Sequence, residues 1–202
     1  MSESRDYLQP YRDAARQYRG GFLSLLWASP DTQAARFDAI CRLEKLAGRS
    51  ILDVGCGRAD LLNYLATKSI QPADYIGIEA VEELLRVAEK KSCSWATIVA
   101  TDFVANPKAL FVGADVVILC GSLNTLDKDA FYSTIRRAFD ATAESLVFNF
   151  LDASYLAAAS YLTWHRRDEV MTFAKSLSPD VRVLSDYLDG DTTIAIRKDA
   201  HQ

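Results

Sequence analysis

Ile51-Leu52-Asp53-Val54-Gly55-Cys56-Gly57-Arg58-Ala59-Asp60 is the stretch on which the reading of this chain turns. A short aliphatic run ends in a carboxylate and two glycines, and Leu61, Leu62 and Leu65 then recur at helical spacing. That pattern predicts a strand over Ser50 to Val54, a tight turn, and a helix over about Asp60 to Ala66. Glycine in such a turn permits both the sharp bend and a close ligand approach that a Cβ would block.

Downstream the alternation repeats. Tyr75-Ile76-Gly77-Ile78 reads as a strand, and Val81 to Lys91 as a helix with Leu84, Leu85 and Ala88 on its buried side. Trp95 to Ala100 and Asp115 to Cys120 are the next strands, followed by a helix over Lys128 to Phe139 and a strand over Ser145 to Phe150. After a helix over Arg167 to Ser176, Val181 to Tyr187 and Thr192 to Arg197 flank Leu188-Asp189-Gly190-Asp191, and Asp-Gly is a strong hairpin signal. Upstream, a helix over Tyr11 to Arg19 stops at Gly20-Gly21, and Ser29-Pro30 caps a second that runs to about Gly48. Strands separated by helical segments predict a parallel α/β sheet, here closed by an antiparallel hairpin. The expected organisation is one compact domain, with a helical cap or lid over residues 1–47 and a core over 48–202.

Composition sets the outer limits. The 202 residues carry 23 basic and 27 acidic side chains, a net charge of -4, and half are hydrophobic. This balance belongs to a globular protein with one sizeable core and argues against a general nucleic-acid binder, which needs a basic face. No apolar run approaches the ~20 residues that span a bilayer, and Met1 to Asp6 has no apolar segment of a secretory signal. Cys41, Cys56, Cys93 and Cys120 match neither a disulfide framework nor paired zinc-site spacing, and His165 and His201 are the only histidines. The expectation is a cytoplasmic protein with reduced cysteines, no metal and no membrane partner, as monomer or homodimer.

In open α/β sheets, ligands bind beyond the carboxyl ends of the strands. Those ends carry Asp53 to Gly57, Glu79, Asp102, Gly121-Ser122 and Asn149, while the strands themselves are apolar. Glu79, on the strand after the glycine turn, is placed to accept hydrogen bonds from ribose hydroxyls. A pyrophosphate at this turn would meet Asp53 and Asp60. Two like charges within ~6 Å cost on the order of 1–3 kcal/mol at an effective dielectric near 20, part of which Arg58 could offset. Electrostatics therefore favours a nucleoside ligand with a cationic centre.

Residues 51–57 resemble the first motif of class I S-adenosylmethionine-dependent methyltransferases, and the likeness extends over roughly Gly48 to Arg197 through strand order and terminal hairpin. The resemblance implies a Rossmann-like three-layer sandwich with a mostly parallel seven-stranded sheet, and S-adenosylmethionine as cofactor. It places Asp53, Gly55 and Gly57 along the cofactor's amino-acid portion and Glu79 on the ribose, with Cys56 and Ala80 as further cofactor-binding candidates. Asp102 would accept from the adenine amine, Phe103 would offer its backbone N–H, and Cys120-Gly121 would border the transferring methyl group. Ala59 stands where the family has a third glycine, which implies slightly less room beneath the methionine moiety. Arg36 is the candidate partner of the cofactor carboxylate.

For the acceptor, a small molecule, the candidate walls are Tyr11, Trp27, Ser122, Asn124, Asn149, Tyr161 and Trp164, with Tyr7 and Tyr18 as further N-terminal aromatics. His165, in the segment Tyr161 to Asp168, is the candidate base. Two other functions remain open: a nucleotide-binding regulatory domain without catalysis, and a nicotinamide-dependent oxidoreductase on a similar fold.

Overall fold

The computed structural model describes residues 6–157 and 159–199, so His201 and the residues before Asp6 lie outside it. Strands β1 (Ser50–Val54), β2 (Asp74–Glu79), β3 (Ala96–Ala100), β4 (Val116–Leu119), β5 (Ser145–Leu151), β6 (Val181–Leu184) and β7 (Asp191–Arg197) form one sheet of order β3-β2-β1-β4-β5-β7-β6. The first five pair in parallel, and β7 runs antiparallel between β5 and β6. Strand order reverses between β1 and β4, so the turns after these two strands flank the crevice where α/β sheets bind ligands.

The central strands are mostly apolar because both faces are covered. Leu52, Val54, Val117 and Leu119 pack on one face with helices α5 (Lys128–Ala141) and α6 (Arg167–Leu177). Ile51, Val116 and Ile118 pack on the other with α2 (Pro30–Leu43) and α3 (Asp60–Thr67). A third, smaller cluster joins Leu8, Ala15 and Leu25 to Val81 and Leu84. It seats α1 (Gln9–Tyr18) and the following 3-10 turn (Phe22–Leu25) on α4 (Glu82–Glu89), above the carboxyl ends of the strands.

Two predicted boundaries move for identifiable reasons. Helix α2 ends at Leu43 instead of near Gly48. Glu44 leaves the helix in an extended conformation and gives both carboxylate oxygens to Arg197, at 2.9 Å each. Strand β6 ends at Leu184 instead of Tyr187, and the Tyr187 hydroxyl turns inward onto Asp191 and Thr193. The Asp-Gly turn itself forms, with the Asp191 N–H bonded to the Leu188 carbonyl. Phe131, fully buried, contacts Phe148, Phe150 and His165 in the larger cluster. Phe131→Ala should cost about 3–5 kcal/mol in urea unfolding, as a truncated aromatic at the centre of a core does.

Candidate functional site

The glycine turn is tied to the end of β2 from two directions. The N–H groups of Gly55 and Cys56 both donate to the Ile78 carbonyl, at 2.9 and 3.0 Å. Glu79 Oε2 accepts from the Gly57 N–H at 2.8 Å, while Oε1 accepts from the N–H groups of Ala80 and Val81, also at 2.8 Å. Glu79 is buried, and burial pushes its pKa up while these three backbone donors pull it down, with a net rise. Asp53 is likewise buried, accepts from the Tyr75 hydroxyl at 2.5 Å, and is raised to about 7, chiefly by desolvation. Gly55 (φ +69°) has no room for a side chain, since a Cβ there would lie 2.7 Å from that of Ser122.

Above this floor lies a cleft. Gly55, Gly57, Glu79, Ala80, Phe103, Cys120, Gly121 and Ser122 line its base, and Tyr7, Leu8, Tyr11, Leu25 and Trp27 roof it. A smaller recess continues it past Asp53, Cys56 and Cys120 to Gln33 and Phe37. A second cavity shares Tyr11, Leu25, Trp27 and Gly121 with the cleft and is otherwise mostly aliphatic: Leu26, Leu151, Leu156, Leu162 and Leu188. Arg36, Asn124 and Asp189 supply its charged and amide groups.

The shared wall is held by a closed circuit. Gly121 (φ +75°) lies so close beneath the Trp27 ring that a Cβ would come within 2.6 Å of it. Its N–H donates to Asn149 Oδ1 at 2.7 Å, and Asn149 Nδ2 donates to Asp191 at 3.2 Å. Asp191, with a fully buried side chain, accepts from Arg36 Nε at 2.7 Å and Nη2 at 2.6 Å. The Arg36 guanidinium, in turn, stacks 4.7 Å from the Trp27 centroid. Tyr11 closes the other side, its hydroxyl donating to the Gly121 carbonyl at 3.2 Å.

Residues 51–145, a little under half of the chain, match the family described as methyltransferase domain. Solved structures agree over nearly the whole length. The DhpI–SAH complex superposes with a TM-score of 0.68 at 14% identity, covering 97% of this chain and 96% of that one. CcbJ methyltransferase from Streptomyces caelestis gives 0.66 at 14%, covering 96% and 99%. Magnesium protoporphyrin IX methyltransferase from Synechocystis PCC 6803, with bound SAH, gives 0.62 at 15%, covering 98% and 90%. No curated protein matches the sequence. Over residues 51–145 the chain matches a methyltransferase domain, and its fold is that of class I S-adenosylmethionine-dependent methyltransferases. The Synechocystis magnesium protoporphyrin IX methyltransferase is also solved with bound SAM.

The fold brings most of the expected residues to the cleft and corrects several. His165 is packed away from both cavities, stacked on Phe131 at 3.8 Å and edge-on to Tyr132. Burial lowers its pKa to about 4, so it is a neutral core side chain and not a base. Trp164 is exposed at the surface, Tyr18 is exposed, and Tyr161 borders a separate open groove with Gln9 and Pro10. Arg36 lies in the second cavity, engaged by Asp191, rather than beside the glycine turn. Asn149 acts behind the wall through Gly121. Asp102 does not line the cleft: its Oδ1 accepts from the Tyr7 hydroxyl at 2.5 Å and from the N–H groups of Val104 and Ala105. Phe103 meets the cleft and packs edge-on to Tyr7 at 5.9 Å. Asp60 is neutralised by Lys91 at 2.8 Å, so the electrostatic preference for a cation rests on Asp53 and Glu79 alone. Ala59 costs conformation rather than room: it does not line the cleft but takes the left-handed φ of +53° at the start of α3.

Asp191 and the leucines of the second cavity are the residues sequence reasoning missed. Asp191 reads as a turn residue; only the register that sets Leu151 opposite Asp191, and Asn149 opposite Thr193, brings it to the site. Asp191→Ala would strand the Arg36 guanidinium in a buried setting and should cost about 3–5 kcal/mol in thermal or urea unfolding. His165 makes a separate contribution with a defined sign. Because its folded pKa lies below the unfolded value of about 6.5, stability should fall as pH drops from about 6.5 toward 4, and His165→Phe should remove that component.

Proposed function

We propose that this protein is an S-adenosylmethionine-dependent methyltransferase acting on a small acceptor with an apolar body, held in the leucine-lined cavity while the cofactor occupies the glycine-floored cleft. The observation that carries the reading is the wall shared by the two cavities, made of Tyr11, Leu25, Trp27 and Gly121. The cofactor supplies an activated methyl group on a sulfonium centre. Glu79 holds the ribose, because Oε2 carries one backbone bond and keeps a lone pair for a hydroxyl. Gly55 and Gly57 let the amino-acid portion lie against backbone, and Asp53 faces its recess as the nearest source of negative charge. Segment 6–27 serves as the lid that excludes water, with Leu8, Leu25 and Trp27 as its apolar underside.

In-line transfer through the shared wall then draws its rate mainly from positioning and desolvation. Tyr11 is a fixed wall and not a base. Burial pushes its phenol pKa well up, and its proton is committed to the Gly121 carbonyl. With His165 in the core, no histidine among the described residues reaches the shared wall to deprotonate the acceptor, so a neutral amine or an acceptor already ionised in solution suits the site best.

S-adenosylmethionine at 100 times its Kd should raise unfolding stability by about 2.7 kcal/mol, with NADH giving no shift. Glu79→Ala should weaken cofactor binding by about 1–3 kcal/mol in calorimetry. Because Asp53 is protonated below about 7, affinity for the cationic cofactor should tighten as pH rises through that value. Asp53→Asn should flatten the profile. Radiolabelled methyl transfer to a panel of small apolar amines, phenols and thiols separates an active enzyme from a silent binding domain.

A further inference from the structure

Tyr7 lines the cleft and is hydrogen-bonded to the carboxylate expected to read the cofactor's base. It borders the cleft with Phe103, whereas Asp102 does not. The Tyr7 hydroxyl has a single proton, and at 2.5 Å from Asp102 Oδ1 that proton is committed to the carboxylate. Two backbone donors, Val104 N–H at 2.8 Å and Ala105 N–H at 3.0 Å, converge on the same oxygen. They fix the orientation of Asp102, so the direction of the Tyr7 bond is also fixed. A phenol that has given its proton away retains only acceptor capacity.

We propose that Tyr7 is a specificity-determining residue for the base: its phenolic oxygen accepts from the exocyclic amine of adenine, with Asp102 acting behind it as the residue that sets the polarity. This assignment rests on the adenosyl cleft proposed above. Burial and the adjacent carboxylate both keep the phenol protonated, which holds the relay in this direction across the neutral pH range. The ring packs edge-on to Phe103 and against Leu8, which holds the hydroxyl in place. The base would therefore be read by the segment preceding α1, not by the loop after β3 alone.

A keto group at the same position of the base presents an acceptor to an acceptor, which is the basis of the test. Calorimetry should compare S-adenosylhomocysteine with its 6-oxo analogue, S-inosylhomocysteine, on the unmodified protein and on two variants. The unmodified protein should prefer the adenine ligand by about 10- to 100-fold. Tyr7→Phe should bring the two affinities to within about 3-fold, chiefly by weakening the adenine ligand. Asp102→Asn should keep the preference, since the two backbone donors hold the amide oxygen where Oδ1 was and Tyr7 still donates to it. The assignment is overturned if Tyr7→Phe leaves the preference intact or tightens S-adenosylhomocysteine, because the hydroxyl would then be neutral or in the way. It is overturned equally if Asp102→Asn shifts the preference to the inosine ligand, which marks direct reading by Asp102. The second variant decides the matter should Tyr7→Phe fail to fold. Failure of the unmodified protein to bind S-adenosylhomocysteine at all would instead count against the cleft as an adenosyl site.

Discussion

A buried carboxylate with three backbone donors is the constraint on which the site depends. Glu79 joins the N–H of the glycine turn to the N–H groups that open the segment after β2, so two loops from adjacent strands move as one. Burying such a charge is costly without partners, and the partners here are main-chain groups that any side-chain composition would leave in place. The result is a floor whose shape is fixed before a ligand arrives and whose charge is negative where a sulfonium compound would lie. Asp53, desolvated beside Tyr75, adds to that field. Asp60 does not, because Lys91 pairs with it.

The roof is built differently. Few bonds hold segment 6–27 down: Tyr7 to Asp102, Tyr11 to the Gly121 carbonyl, and an apolar seam of Leu8, Ala15 and Leu25 on Val81 and Leu84. In the proposed reading a ligand enclosed by the cleft would have to pass this cover, so the contacts that exclude water would also govern entry. By contrast, the wall between the cavities is anchored from behind by Asn149, Asp191 and Arg36, all on elements of the sheet or packed on it. A rigid partition beneath a lightly held roof suits the in-line transfer proposed between the two cavities.

How much of this was legible depended on whether the information was local. The glycine turn, the alternation of strands and helices, and the acid after β2 are written in short windows, and the fold and the cleft floor follow from them. Strand ends moved where a distant side chain intervened, as Arg197 does for Glu44 at the end of α2. His165 and Trp164 sit beside each other in sequence, yet one is stacked in the core and the other lies at the surface. A lone polar aromatic in a short aromatic segment gives no sign of which way it faces. Asp191 shows the same limit from the other side. Its neighbours Asp189 and Gly190 announce a turn, and only antiparallel register with β5 carries its carboxylate to Asn149 and Arg36. The leucines of the second cavity come from the end of the first 3-10 turn, β5, the segments that follow it and the β6–β7 loop, and nothing in any one segment marks them as a set.

A crystal structure with S-adenosylhomocysteine is the most direct measurement of the central claim. The account predicts the ribose on Glu79, the homocysteine portion over Gly55 and Gly57 toward Asp53, and the sulfur facing the wall formed by Tyr11, Trp27 and Gly121. A cleft left empty at saturating ligand, or a sulfur turned away from the leucine-lined cavity, would contradict it.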